Sequence, residues 1–138
     1  MDKPAFIAEL ESALNIALHP APKHGHDPIR NVMSCRKDPE REGGWLTQYA
    51  LHSDGSLAGL NLAGFGLHHK DWQNITWRFD LTRLEALNLR GNALDAMTDL
   101  KEMPNLRYLD LCNNQLREFV LPAGIEGLEH LWLTGMSI

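Results

Sequence analysis

Asp110, Cys112 and His130 are the residues of this chain best suited by type to covalent chemistry. A thiol, an imidazole and a carboxylate are the parts of a cysteine hydrolase, in which the base activates the nucleophile and the carboxylate orients the base. Their spacing argues against that use. Asp110 and Cys112 stand two residues apart, which on a strand puts them on one face, and no oxyanion donors or helix N-terminus can be read nearby. A reactive thiol also needs a basic neighbour to depress its pKa, and Arg90 is the sole candidate. No catalytic residue is assigned, and the chain reads as a non-enzyme, with a small hydrolase the weakest of the functional readings. Metal chemistry fares no better. His24 and His26, around Gly25, and the pair His68–His69 offer imidazoles, but zinc needs about four ligands and no further set accompanies them. Both pairs read as solvated loop histidines, and no metal or cofactor is expected.

Composition narrows the remaining classes. A chain of 138 residues is one domain's worth. Its net charge of −5 argues against a nucleic-acid partner, which needs a basic face. No apolar run approaches the ~20 residues of a membrane span. The opening M-D-K-P-A-F-I-A-E-L-E-S carries Glu9 and Glu11 where a signal peptide needs an uninterrupted apolar stretch. Cys35 and Cys112 are the two cysteines, far apart in the chain. They read as reduced thiols of a cytoplasmic protein, with a disulfide the minority reading.

Positioning falls to a repeat. L-E-A-L-N-L-R-G-N-A-L, from Leu84, and L-R-Y-L-D-L-C-N-N-Q-L, from Leu106, fit one template, LxxLxLxxNxL. The first places Leu84, Leu87, Leu89, Asn92 and Leu94; the second places Leu106, Leu109, Leu111, Asn114 and Leu116. The template extends upstream through Leu57, Leu60, Leu62 and Leu67, with Phe65 for asparagine. It extends downstream through Leu128, Leu131, Leu133 and Ile138, with Met136 for asparagine. The first step is 27 residues and the next two are 22. Leucines two apart on a short strand share a face, the flanking ones turn in from the bends, and each unit needs stacked neighbours to bury them. The asparagine amide both donates and accepts, so at the inward bend it can satisfy backbone groups of its own turn and of the next.

On these residues the chain resembles leucine-rich repeat proteins. The resemblance implies an α/β solenoid, a short right-handed horseshoe with a parallel concave sheet, and it implies binding by surface. Residues 57–138 hold about four units and residues 1–56 form an N-terminal cap. In that cap, Asp2 to Leu18 reads as an amphipathic helix, with Phe6, Leu10, Leu14 and Ala17 on one face, Asp2 as cap and Pro4 in the first turn. It is expected to cover the first repeat. His19 to Gly44, with Pro20, Pro22, Pro28 and Pro39, reads as irregular, with a short turn over Ile29 to Met33. Trp45 to Leu51 and Leu57 to Leu62 read as a β-hairpin turning at Asp54-Gly55. A helix followed by such a hairpin is similar to the front of repeat regions in bacterial multidomain proteins, Roco-type GTPases among them. No GxxxxGK[ST] loop is present, so none of that family's enzymatic activity carries over.

The convex connections are expected to complete the core. Trp72, Ile75, Trp77 and Phe79 read as a helical turn and aromatic plug; Leu100, Met103, Val120, Leu121 and Ile125 close the later units. Function is expected on the concave face, where residues between core leucines point outward in three columns. These are Gly59, Ala86, Tyr108, His130; Asn61, Asn88, Asp110, Trp132; and Ala63, Arg90, Cys112, Thr134. The columns grow aromatic toward the C-terminus, with the residue types of binding hot spots. The expected partner is a protein, held by Asn88, Arg90, Tyr108, Asp110, His130 and Trp132. Leu131, Trp132, Leu133 and Ile138 also form a bare repeat edge, an expected homodimer contact or the start of a longer repeat array. The competing reading is the N-terminal part of a larger signalling protein or effector.

Overall fold

The computed structural model of the chain describes residues 3–22, 27–40, 44–97, 100–121, 125 and 127–135. Six strands, β1 (His19–Pro20), β2 (Gln48–Leu51), β3 (Leu57–Asn61), β4 (Ala86–Asn88), β5 (Tyr108–Asp110) and β6 (His130–Trp132), form one sheet in sequence order. Only the β2–β3 hairpin is antiparallel; the other pairs are parallel. The repeat sets this register. Leu60, Leu87, Leu109 and Leu131 are paired in turn across β3 to β6.

Leucines of the template fill one side of the sheet. Leu60, Leu62, Leu84, Leu87, Leu89, Leu94, Leu106, Leu109, Leu111 and Leu116 are all fully buried in one cluster. Asn92 and Asn114 are buried at the bends and bonded to backbone. Asn92 accepts the N–H of Phe65 (3.0 Å) and Leu67 (2.9 Å) and donates to the carbonyls of Leu62 (3.0 Å) and Leu89 (2.9 Å). Asn114 accepts from Leu94 and donates to Leu89 and Leu111. Each amide thus serves its own turn and the preceding one, not the next. The reason is direction: the bend of one unit overlies the exit of the strand before it. Phe65 stands at the equivalent bend without an amide, and its N–H donates to Asn92; Met136 lies outside the described residues.

Several expected boundaries shift. Helix α1 runs Ala5–Leu14, not Asp2 to Leu18, because Asn15 turns left-handed at φ 54° and ends it. Pro4 is its N-cap and no side chain caps it; Asp2 lies outside the described residues. The helix does bury Ile7 and Leu10 in the leucine core. Helix α3 spans His69–Arg78, so His69 opens a helix and is not a loop residue. Trp72 and Ile75, three apart, share a face and are buried, whereas Trp77 falls on the opposite face and is 71% exposed. Leu100 and Met103, around a 3-10 turn at Leu100–Glu102, and Ile125 are buried as expected. Val120 and Leu121 are exposed, and Phe119 packs against the core in their place.

Candidate functional site

The other face of the sheet is not bare at its N-terminal end. Helix α2 (Pro28–Asn31) and the residues after it, through Cys35, lie across β2, β3 and β4. Small residues make room for them: Ala50, Gly59 and Ala86 are paired side by side, and fully buried Val32 sits over them. A Cβ on Gly59 would come within 2.8 Å of Val32 Cγ1, closer than side chains approach. Asp27 caps α2 by accepting the Arg30 N–H, and Asn31 Nδ2 donates to the Pro22 carbonyl. Within the stretch expected to be irregular, the short turn read over Ile29 to Met33 is therefore part of a packed cover, residues 27–35, with a small core of its own.

A column of polar side chains fastens that cover. Asn61, Asn88 and Asp110 each accept, through Oδ1, the N–H two residues on, of Ala63, Arg90 and Cys112. That leaves the amide N–H groups of the two asparagines free to donate. Asn61 Nδ2 donates to the carbonyl of Val32 at 2.8 Å, and Asn88 Nδ2 to that of Met33 at 2.9 Å. Gln48 Nε2 likewise donates to Ser34. Asp110 has no N–H to give. Its Oδ2 accepts from Arg90 Nε at 3.0 Å, which holds the Arg90 guanidinium above its usual pKa. At this position the cover stops.

Beyond it a cleft of about 340 Å³ opens, lined by Arg30, Asn31, Met33, Ser34, Asp110 and Trp132. Its sheet side carries a ladder of rings. Tyr108 stacks on His130 at 5.3 Å between centroids, and His130 on Trp132 at 5.6 Å. Two guanidiniums flank the buried end: Arg30 lies 5.7 Å and Arg107 5.1 Å from the Tyr108 ring centre. Arg107 is itself clamped by Glu129 and Glu85, whose hydrogen bonds push its pKa up.

The structure thus divides the expected site. His130, Trp132 and half-exposed Arg90 remain open, whereas Asn88 and Tyr108 are buried under the cover and Asp110 at its margin. The expectation that these three face outward is corrected by the cover, which a repeat template does not encode. Arg30 belongs to the cleft and was missed, because nothing in the local sequence ties residue 30 to residue 108. Leu131 and Leu133 are half-buried at β6; Ile138 lies outside the described residues.

Asp110, Cys112 and His130 each have other partners. Cys112 is buried and accepts the Thr134 hydroxyl at 3.1 Å, and Asp110 pairs with Arg90 and not with His130. Burial pushes the Cys35 thiol up, despite the Asn88 amide at 3.5 Å. Both cysteines are free thiols. Among the described residues no group of three or more His, Cys, Asp or Glu is placed to hold a metal ion. His24 and His26 lie outside the described residues. No described helix is long and apolar enough to cross a membrane.

No curated protein matches the chain, and no solved structure does. One family model does match. It is that of the Leucine Rich Repeat, over residues 105–128. This span starts one residue before the template unit that begins at Leu106 and contains β5 and the Asn114 bend. Residues 105–128 are thus similar to a leucine-rich repeat, and the leucine register continues on either side of the match, with the Asn92 bonds before it and the Asn114 bonds within it.

Proposed function

We propose that this chain is a protein-interaction module that binds a protein partner on the concave face of a leucine-rich repeat sheet, at its C-terminal half. In this reading residues 57–138 are a short solenoid and residues 1–56 its cap, with the α2 segment closing the N-terminal half of the concave face. Two free thiols fit a reducing, cytoplasmic setting. The observation that carries the reading is Trp132. The residue is 37% exposed, stacked on His130, and lines a cleft together with Arg30 and with Asp110, whose carboxylate pairs with Arg90. A large exposed ring with arginines at hand is the composition of a binding hot spot.

A captured partner, once purified, should bind the wild-type chain at least about 30-fold more tightly than the Trp132→Ala variant, the loss typical of a hot-spot aromatic. Unchanged binding by Trp132→Ala and by Arg90→Ala would refute the assignment. Pairing of two copies through Leu131, Trp132 and Leu133 is the competing use of this surface. A rise in mass with concentration, abolished by Leu131→Lys, would identify it.

A further inference from the structure

The geometry points to an acidic, extended segment of the partner protein as the occupant of the cleft between α2 and β6, with a carboxylate on Arg30 and an apolar side chain on the Trp132 ring. This rests on the interface reading above and adds the chemistry of what is bound. Charge comes first. The chain as a whole carries −5, yet of the two charged residues lining the cleft it is the cation, Arg30, that has no ion pair among the described residues, while Asp110 is paired with Arg90. Asp110 is its one lining carboxylate, and both its oxygens are engaged, by Arg90 Nε and by the Cys112 amide. Asp27, the nearby acid on the cover, is turned to the start of α2, where it accepts the Arg30 amide. Arg30 is exposed, lies over the Tyr108 ring, and makes no ion pair or side-chain hydrogen bond among the described residues. A guanidinium near a ring face and without an ion pair has N–H groups to offer a carboxylate.

Shape comes second. The sheet already accepts one irregular segment, Val32 to Cys35, whose carbonyls are read by Asn61 and Asn88. The cleft continues that layer over β5 and β6, with the Trp132 ring as its far wall. It is open to solvent, which suits one or two side chains of a passing segment better than an enclosed small molecule. A segment laid there meets Arg30 on one side and the aromatic face on the other.

Three capped peptides test this: alternating Leu and Glu, and the same peptide with Gln or Lys for Glu. NMR spectra of the nitrogen-labelled chain follow the Trp132 indole N–H and the Arg30 Nε–H, with the indole of buried Trp72 reporting an intact fold. The Glu peptide should move both signals and bind more weakly as salt is raised. Arg30→Ala should weaken it about threefold to fivefold, as for an exposed ion pair. Arg30→Glu should reverse the preference toward the Lys peptide. Equal binding of all three peptides at Trp132 overturns the acidic chemistry and leaves the interface standing. No shift with any peptide also overturns it, and the purified-partner comparison then decides the interface separately.

Discussion

Replacing Asn92 with leucine should cost more stability than any single surface change, and more than the same change at Asn114. The ranking follows from which groups lose their partners. Without the Asn92 amide, the N–H groups of Phe65 and Leu67 and the carbonyl of Leu62 lose the side chain that bonds them. The Leu89 carbonyl does not, because Asn114 also donates to it. Asn114→Leu strands fewer groups: the Leu94 N–H and the Leu111 carbonyl. At about 1–3 kcal/mol per buried unpaired group, two groups give roughly 2–6 kcal/mol for Asn114, and Asn92 adds a third, the Phe65 N–H, counted at the low end of about 1 kcal/mol because water partly reaches it, for roughly 3–7 kcal/mol. Urea melts at fixed pH measure both, with an unchanged m value as the check that the transition is the same. Phe65→Leu, at the equivalent bend without an amide, should behave as a packing change of about 1 kcal/mol. Losses under about 0.5 kcal/mol for both asparagines, the scale of a surface substitution, would refute the bonded-bend reasoning.

Two further outcomes follow from the same geometry. Tyr108→Ala should destabilise by about 3 kcal/mol, because the ring is buried against Val32 and Ala86, while Trp132→Ala should cost about 1 kcal/mol, the scale of one aromatic pair; thermal melts of the two single variants separate these, and equal costs would contradict the cover. Asp54 in the hairpin turn is held down at about 2 by the Ser56 hydroxyl and amide and then by Arg83, so its stabilisation is present above the ordinary carboxylate pKa of about 4 and is lost as pH falls toward 2. Asp54→Asn should therefore flatten the acid limb of stability over that window, a small effect in an exposed group, read as urea midpoints at about pH 5 and about pH 2.

The sheet was legible because the template and the strand share a phase. Once Leu87 and Leu89 are assigned to the core side, Ala86, Asn88 and Arg90 must take the other, and the same holds 22 residues on. The observed partners, Gly59 with Ala86, Tyr108 and His130, reproduce the column read from the chain. Connections were less legible, since burial there depends on which turn faces inward. Trp72 and Trp77 have one residue type and opposite fates because five positions along a helix lead to the far side. Val120 and Leu121 are apolar and exposed because the connection that carries them does not turn them toward the sheet.

The cover was the largest feature missed, and its attachment explains why. It is held through its backbone carbonyls, which every residue has and no sequence displays. The signal lay on the receiving side. Gly59 and Ala86 leave a hollow on a face that is otherwise polar or aromatic, and a hollow beside amide donors needs something to fill it. The residue that ends the cover is equally readable in retrospect. Along the column Gln48, Asn61, Asn88, Asp110, the donors stop at the first carboxylate. A backbone carbonyl placed over Asp110 would meet oxygen against oxygen, with a buried repulsion in place of a hydrogen bond. One change of side-chain type, from amide to acid, therefore sets where the chain's own segment must leave the sheet. Arg90 is drawn to that acid, and the rings of His130 and Trp132, beyond buried Tyr108, are left exposed. The candidate site exists because the fold's self-recognition fails at Asp110, so its chemistry is set by the groups at that margin, Arg30 and Trp132, and not by the repeat leucines that hold them there.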